Sequence, residues 1–258
     1  MVQTVIYNGS FENFFTAVFE IYEYKIASPD IQKDTIANTS LFGAHIVHEN
    51  KEKAARVIKS LQQKITPFAF RNLYKTFLSE LPGIENVILR YIRYVIQSAN
   101  SVERNFSNTD VLMITQTAKK VDREKHRMEA FIRFQKTKDE LYYAIVQPDF
   151  NVLPLIIKHF KDRYADQQWL VYDVRRKYGL YYNRENVTEV KIDFTERIND
   201  ALAKQNIYDE QEELYQSLWK VYFNSVNIKA RRNLKLHIQH MPKRYWKYLT
   251  EKQRTDFE

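Results

Sequence analysis

Apolar residues recur along this chain with two different periods, and the changes between them predict its elements. Residues 2–7 form a short apolar-rich run closed by the turn pair Asn8-Gly9, which reads as a strand. Ser10 stands where a helix N-cap is needed, with Glu12 placed against the helix macrodipole. Phe11, Phe14, Phe15, Val18, Phe19 and Tyr22 then follow at helical spacing, a stripe that reads as core rather than as a cofactor box. Residues 41–47 are a candidate second strand. Asn50 caps a helix running to Lys64, and Pro67 opens another to Glu80. Pro82-Gly83 separates these from Ile84, Val87, Ile88, Tyr91, Ile92 and Val95, again one helical face. Asn108-Thr109-Asp110 offers caps for a helix through Lys125.

The period then drops to that of a strand. Met128, Ala130, Ile132 and Phe134 alternate with Arg127, Glu129, Phe131 and Arg133, and residues 141–147 make a second run, so an antiparallel hairpin is expected. A helix over 152–164 carries Pro154 in its first turn. Strand-like runs follow at 169–174, 178–182 and 187–194, the first two joined by Arg175-Arg176-Lys177. Residues 209–226 read as a helix with acids crowding its first turn, and 227–248 as a helical tail broken at Pro242. The predicted class is α+β, a mainly helical region over 1–108 followed over 109–258 by an antiparallel sheet of about five strands flanked by helices. The two regions are compatible with one continuous domain.

Composition narrows the chemistry. The 258 residues include no Cys, which excludes a disulfide framework, a thiolate zinc site, a cysteine-held iron–sulfur cluster and a cysteine nucleophile. With four Gly in the whole chain there is no phosphate-cradling loop, and the common nucleotide-dependent enzyme classes are disfavoured. The amino terminus has no basic stretch and no apolar run is long enough to span a bilayer, so a cytoplasmic protein without membrane contact is expected. No cofactor is expected. Two His-x-x-His pairs, His45 with His48 and His237 with His240, have a spacing that suits metal only on a helix. The first pair falls in a predicted strand and the second among cations, so no metal site is assigned.

The net charge of +8 is local. Between Trp219 and Thr250 the basic residues are Lys220, Lys229, Arg231, Arg232, Lys235, Lys243, Arg244 and Lys247, with no Asp or Glu among them. Tyr222, Phe223, Tyr245, Trp246 and Tyr248 are interleaved. Cations bind phosphates, and exposed rings stack on unpaired bases for about 1–3 kcal/mol each. The nucleic-acid candidates are therefore Lys229, Arg231, Arg232, Lys235, Lys243, Arg244 and Lys247, with Tyr245 or Trp246 as stacking residues. On the predicted hairpin, Arg127 and Arg133 flank Phe131 on one face, a second platform unless a helix covers it. Arg175, Arg176 and Lys177 form a further phosphate candidate. A solvated basic helix with its rings in the core, and a merely solvated turn, are the competing readings. His126, at the expected strand start, is the weak candidate for acid/base chemistry.

Four segments carry a resemblance: the run from Tyr7-Asn-Gly-Ser-Phe to Phe19, His126-Arg-Met-Glu-Ala-Phe-Ile-Arg-Phe134, residues 142–148 leading to Phe160 and Trp169, and Pro242-Lys-Arg-Tyr-Trp-Lys-Tyr-Leu-Thr-Glu251. In this order they resemble a bacterial family of DNA-metabolism and DNA-repair proteins encoded beside a radical-SAM protein. Some of its members are fused to a uracil-DNA glycosylase domain, and this chain resembles the stand-alone form. The resemblance implies DNA, single- or double-stranded, and the radical-SAM protein as partners, and it carries over no catalytic residue. A radical-SAM enzyme needs cysteines, so that chemistry would belong to another polypeptide. The expectation is a DNA-associated accessory protein. The alternatives are an enzyme acting on a damaged or modified base, and a docking subunit that touches no DNA.

Overall fold

Strand β1 (Gln3–Tyr7) buries Val5, Ile6 and Tyr7 and ends at the predicted turn, where Gly9 adopts φ +89°, a conformation that suits a residue without Cβ. Ser10 caps α1 (Phe11–Glu23) by accepting from the Asn13 N–H at 3.0 Å. Of the α1 stripe, Phe14, Phe15 and Val18 are fully buried core, Phe11 and Phe19 are half-buried, and Tyr22 at its end is exposed. The computed structural model describes residues 2–34, 43–138, 140–191, 238–239, 241–249 and 252. These divide into two units, Met1–Asp122 and Arg123–Glu258.

In the first unit β1 is the centre of a three-stranded parallel sheet, flanked by β2 (Pro29–Lys33) and β3 (His45–Ile46). Parallel neighbours need a crossover, and α1 supplies it between β1 and β2. This sheet was not expected in a region read as mainly helical. In β2 the sequence Pro-Asp-Ile-Gln-Lys has one buried apolar side chain, Ile31, so there is no alternation to detect. Of the strand expected over 41–47, His45–Ile46 pairs, and residues 41–42 lie outside the described residues. The helices begin where their caps predicted: α2 (Lys51–Lys64) after Asn50, α3 (Pro67–Leu78) after Thr66 with Pro67 in its first turn, and α4 (Ile84–Gln97) after Gly83. Ile84, Val87, Ile88, Tyr91, Ile92 and Val95 of α4 are all buried.

The largest departure is α5 (Thr109–Phe131), which runs on past Lys125 and takes the first part of the expected strand, residues 132–134 being neither helix nor strand. Its buried positions Ile114, Val121 and Met128 recur every seventh residue, continuous with a helical face, and Ala130 is exposed. The short alternation at Met128 and Ala130 is therefore a fragment of a helical pattern. No β-branched residue lies between Lys125 and Phe131 to oppose the helix.

The second unit holds the expected five-stranded sheet, in the order β4 (Gln135–Lys136), β5 (Tyr142–Val146), β6 (Trp169–Asp173), β7 (Tyr178–Tyr182) and β8 (Val187–Val190). It is antiparallel except between β5 and β6, which run parallel because α6 (Leu153–Arg163) forms the crossover between them. An antiparallel pair does precede the crossover, but its first strand is the two-residue β4, beyond residues 127–134 where the hairpin's first strand was expected. Gly179 on β7 is required, since a Cβ there would lie 2.9 Å from the Val171 carbonyl oxygen. Residues 192–194 of the last expected strand and the helix expected over 209–226 lie outside the described residues. Pro242 does mark a break, because a 3₁₀ helix (Lys243–Tyr248) starts directly after it. Among the described residues no helix is long and apolar enough to cross a membrane.

Candidate functional site

The 3₁₀ helix alternates what it buries and what it presents. Tyr245 and Leu249 are buried, and Lys243, Arg244 and Lys247 are exposed. Its anchor is Glu124 on α5, whose side chain is 1 % exposed. Both carboxylate oxygens are engaged. Oε1 accepts from the Tyr245 hydroxyl at 2.5 Å and the Asp149 backbone N–H at 2.8 Å. Oε2 accepts from Arg244 at 3.1 Å and lies 3.5 Å from Arg127 Nη1. Burying a carboxylate is costly unless it is paired and hydrogen-bonded, as this one is. Burial pushes the Tyr245 phenol above its ordinary value, and the hydrogen bond to Glu124 and its negative charge push it further.

Arg244 reaches in both directions, to Glu124 and to Asp149 Oδ2 at 2.7 Å. Asp149 belongs to the loop after β5, and the same loop is tied to the β6–β7 turn. Arg176 donates to the carbonyls of Pro148 and Asp149 and pairs with the fully buried Asp173 at 2.7 Å. Arg175 donates to the Asp149 carbonyl at 3.0 Å. Asp173 also accepts from the backbone N–H groups of Arg175 and Arg176, an Asx-type arrangement that shapes the turn.

Loop, turn and 3₁₀ helix together enclose a cleft of about 530 Å³, lined by Arg175, Lys243, Arg244 and Lys247 with Gln147 and Asp149. Four of the sequence candidates thus converge from two distant segments, with Asp149 the one carboxylate among the described residues of the lining. Lys247 donates to Gln147 Oε1 at 2.7 Å, and the Tyr248 hydroxyl donates to the same atom at 3.0 Å.

Other candidates have different duties. Tyr245 is 2 % exposed and cannot stack on a base. Trp246 donates its indole N–H to the Met241 carbonyl, and the ammonium groups of Lys243 and Lys252 stand 6.0 and 5.0 Å from its ring centre. Two such cation–π contacts contribute about 0.5–1 kcal/mol each, offsetting most of the about 1–3 kcal/mol that a stacked base would add. Arg127 and Arg133 do not flank an exposed ring, because the segment is helix and not strand. Arg127 faces Glu124, Arg133 donates to the Ala130 and Ile132 carbonyls at the end of α5, and Phe131 lies 5.9 Å from the Tyr245 ring. Arg176 is committed within the protein, and Lys177 ends the turn at φ +56° without lining the cleft. Lys229, Arg231, Arg232 and Lys235 lie outside the described residues, as do His237 and His240.

His126 is exposed in the middle of α5 rather than at a strand start. His45 bonds Glu20 at 2.7 Å, and Glu20 also holds Lys53, so that cluster is an ion-pair network of the first unit. His48 is exposed in the loop beyond. Among the described residues no three His, Asp or Glu side chains are placed to hold a metal ion.

Glu124, Gln147 and Asp149 were not singled out from the sequence. Glu124 is one of 32 acidic residues, and only the three-residue spacing to Arg127 hinted at a pairing.

The model of the domain of unknown function DUF4130 matches residues 82–251, more than half of the chain. The chain belongs to this family. No curated protein and no solved structure matches it. Every residue of the cleft, and Glu124 with it, falls within the DUF4130 segment, whereas β1, α1 and the other elements before Pro82 precede it.

Proposed function

We propose that the chain is a DNA-associated accessory protein that holds nucleic acid in the cleft formed by Arg175, Lys243, Arg244 and Lys247. The observation that carries this reading is convergence: the β6–β7 turn and the 3₁₀ helix bring four cations to one concave surface with a single carboxylate among its described lining residues. A polyanion is what such a surface attracts. Lys229, Arg231, Arg232 and Lys235 belong to the same proposal through their place in the basic window of the sequence. A radical-SAM protein as partner rests on the sequence resemblance alone. The chain itself has no Cys to hold the cluster such an enzyme needs. A base-modifying activity of this chain finds less support, since its candidate His126 is exposed on a helix rather than placed at a strand start.

The test is fluorescence anisotropy of labelled oligonucleotides across a salt series. The four cleft cations contribute about −3.6 to the log–log slope on duplex DNA, and Lys243→Gln with Lys247→Gln should make the slope shallower by about 1.8. Binding that ignores both salt and the double substitution would contradict the assignment.

A further inference from the structure

Resting on that reading, we infer that the cleft takes the sugar-phosphate backbone and leaves the bases unread. The rings of Lys243-Arg-Tyr-Trp-Lys-Tyr248 serve as seats for cations. Arg244 lies 4.6 Å from the Tyr245 ring centre, Lys247 lies 4.7 Å from that of Tyr248, and Lys243 and Lys252 stand over Trp246. The polar edges of the same rings are used inside the protein, by Glu124, Gln147 and the Met241 carbonyl. None of these rings is among the described residues that line the cleft, so a base entering it finds no stacking face there.

The edges of adenine and cytosine offer no better purchase. Reading adenine or cytosine requires an acceptor for the exocyclic amino group. Among the side-chain acceptors lining the cleft, Gln147 Oε1 takes Lys247 and Tyr248, and Asp149 Oδ2 takes Arg244. What the lining presents is positive charge and N–H donors on Arg175, Lys243, Arg244 and Lys247, which match phosphate oxygens of any sequence. A 3₁₀ helix rises about 2.0 Å per residue, so Lys243 and Lys247 stand about 8 Å apart along it, on the order of two duplex steps of 3.4 Å.

The experiment compares the full chain on three labelled ligands at one salt concentration: a duplex, a single strand of mixed sequence, and a strand of the same length built wholly from abasic nucleotides. One stacked base would favour the base-bearing strand by about five-fold or more. The expected result is a difference below that between the two strands, with both weakened about ten-fold or more by Lys243→Gln and Lys247→Gln together. Circular dichroism and thermal melting of the double variant confirm that it is folded. A preference of five-fold or more for the base-bearing strand overturns backbone-only recognition while nucleic-acid binding stands. Binding unchanged by the double substitution overturns the cleft as its location. No binding to any ligand removes both readings.

Discussion

Each unit buries a tyrosine against a glutamate, and the two pairs do different work. In the first, the Tyr7 hydroxyl donates to Glu85 Oε1 at 2.8 Å, joining β1 to the first turn of α4. Phe14 and Phe77 flank the Tyr7 ring, so the pair is a fastener within an aromatic core. In the second, Tyr245 donates to Glu124 in the same way, but Glu124 also receives Arg244, Arg127 and the Asp149 N–H. The first pair joins a strand to a helix. The second fixes a cationic segment and the loop facing it, so one buried carboxylate sets the shape of a surface cleft.

The largest expected effect tests this difference directly. Gln at position 124 has one acceptor oxygen where Glu124 serves donors at both, so an amide N–H₂ must face either Arg244 or Tyr245. Glu124→Gln should cost about 3 kcal/mol, since it also leaves Arg127 without its anion and Arg244 with Asp149 alone. Glu85→Gln keeps an acceptor for Tyr7 and should cost about 1 kcal/mol. Urea denaturation of both variants measures this, and equal losses would erase the distinction.

Alkaline stability sharpens it. Burial, then the negative charge of Glu103, push the Tyr91 phenol from 10.0 up to about 12, and Tyr7 and Tyr245 are raised in the same direction. Below the unfolded value of 10.0 these phenols are protonated in both states, and their contribution to stability is complete. Above it the unfolded chain loses protons that the folded chain keeps, so stability falls as pH rises. For Tyr91 the loss runs from 10.0 to about 12. Tyr91→Phe should flatten the decline by at most about 1.4 kcal/mol per pH unit, read from urea midpoints at about pH 9 and about pH 11. An unchanged slope would show that Tyr91 titrates alike in both states.

What could be read from the sequence was local. Asn8-Gly9-Ser10 announced a strand end and a helix cap, and Ile84 to Val95 announced a buried helical face, because a few neighbouring residues carry those signals. β2 was invisible because its stability comes from pairing with β1 and not from a pattern within Pro-Asp-Ile-Gln-Lys. α5 was cut short because four alternating residues were weighed without the seven-residue recurrence from Ile114 to Met128. The cleft was legible as charge at Arg175, Lys243, Arg244 and Lys247. That these residues meet depends on a β turn reaching a segment some seventy residues later, which local patterning does not encode. Burial likewise reassigned Tyr245 from a stacking ring to an anchor, and Arg133 and Arg176 from phosphate ligands to internal ties.

The most direct test of the account is lysine footprinting, in which the full chain is acetylated briefly with and without a saturating DNA duplex and read by mass spectrometry. Lys158 on α6, its side chain 87 % exposed and not part of the cleft lining, is the internal reference. The account predicts that DNA protects Lys243 and Lys247 and leaves Lys158 as reactive as before. Equal reactivity at Lys243 and Lys247 with and without bound DNA would contradict it.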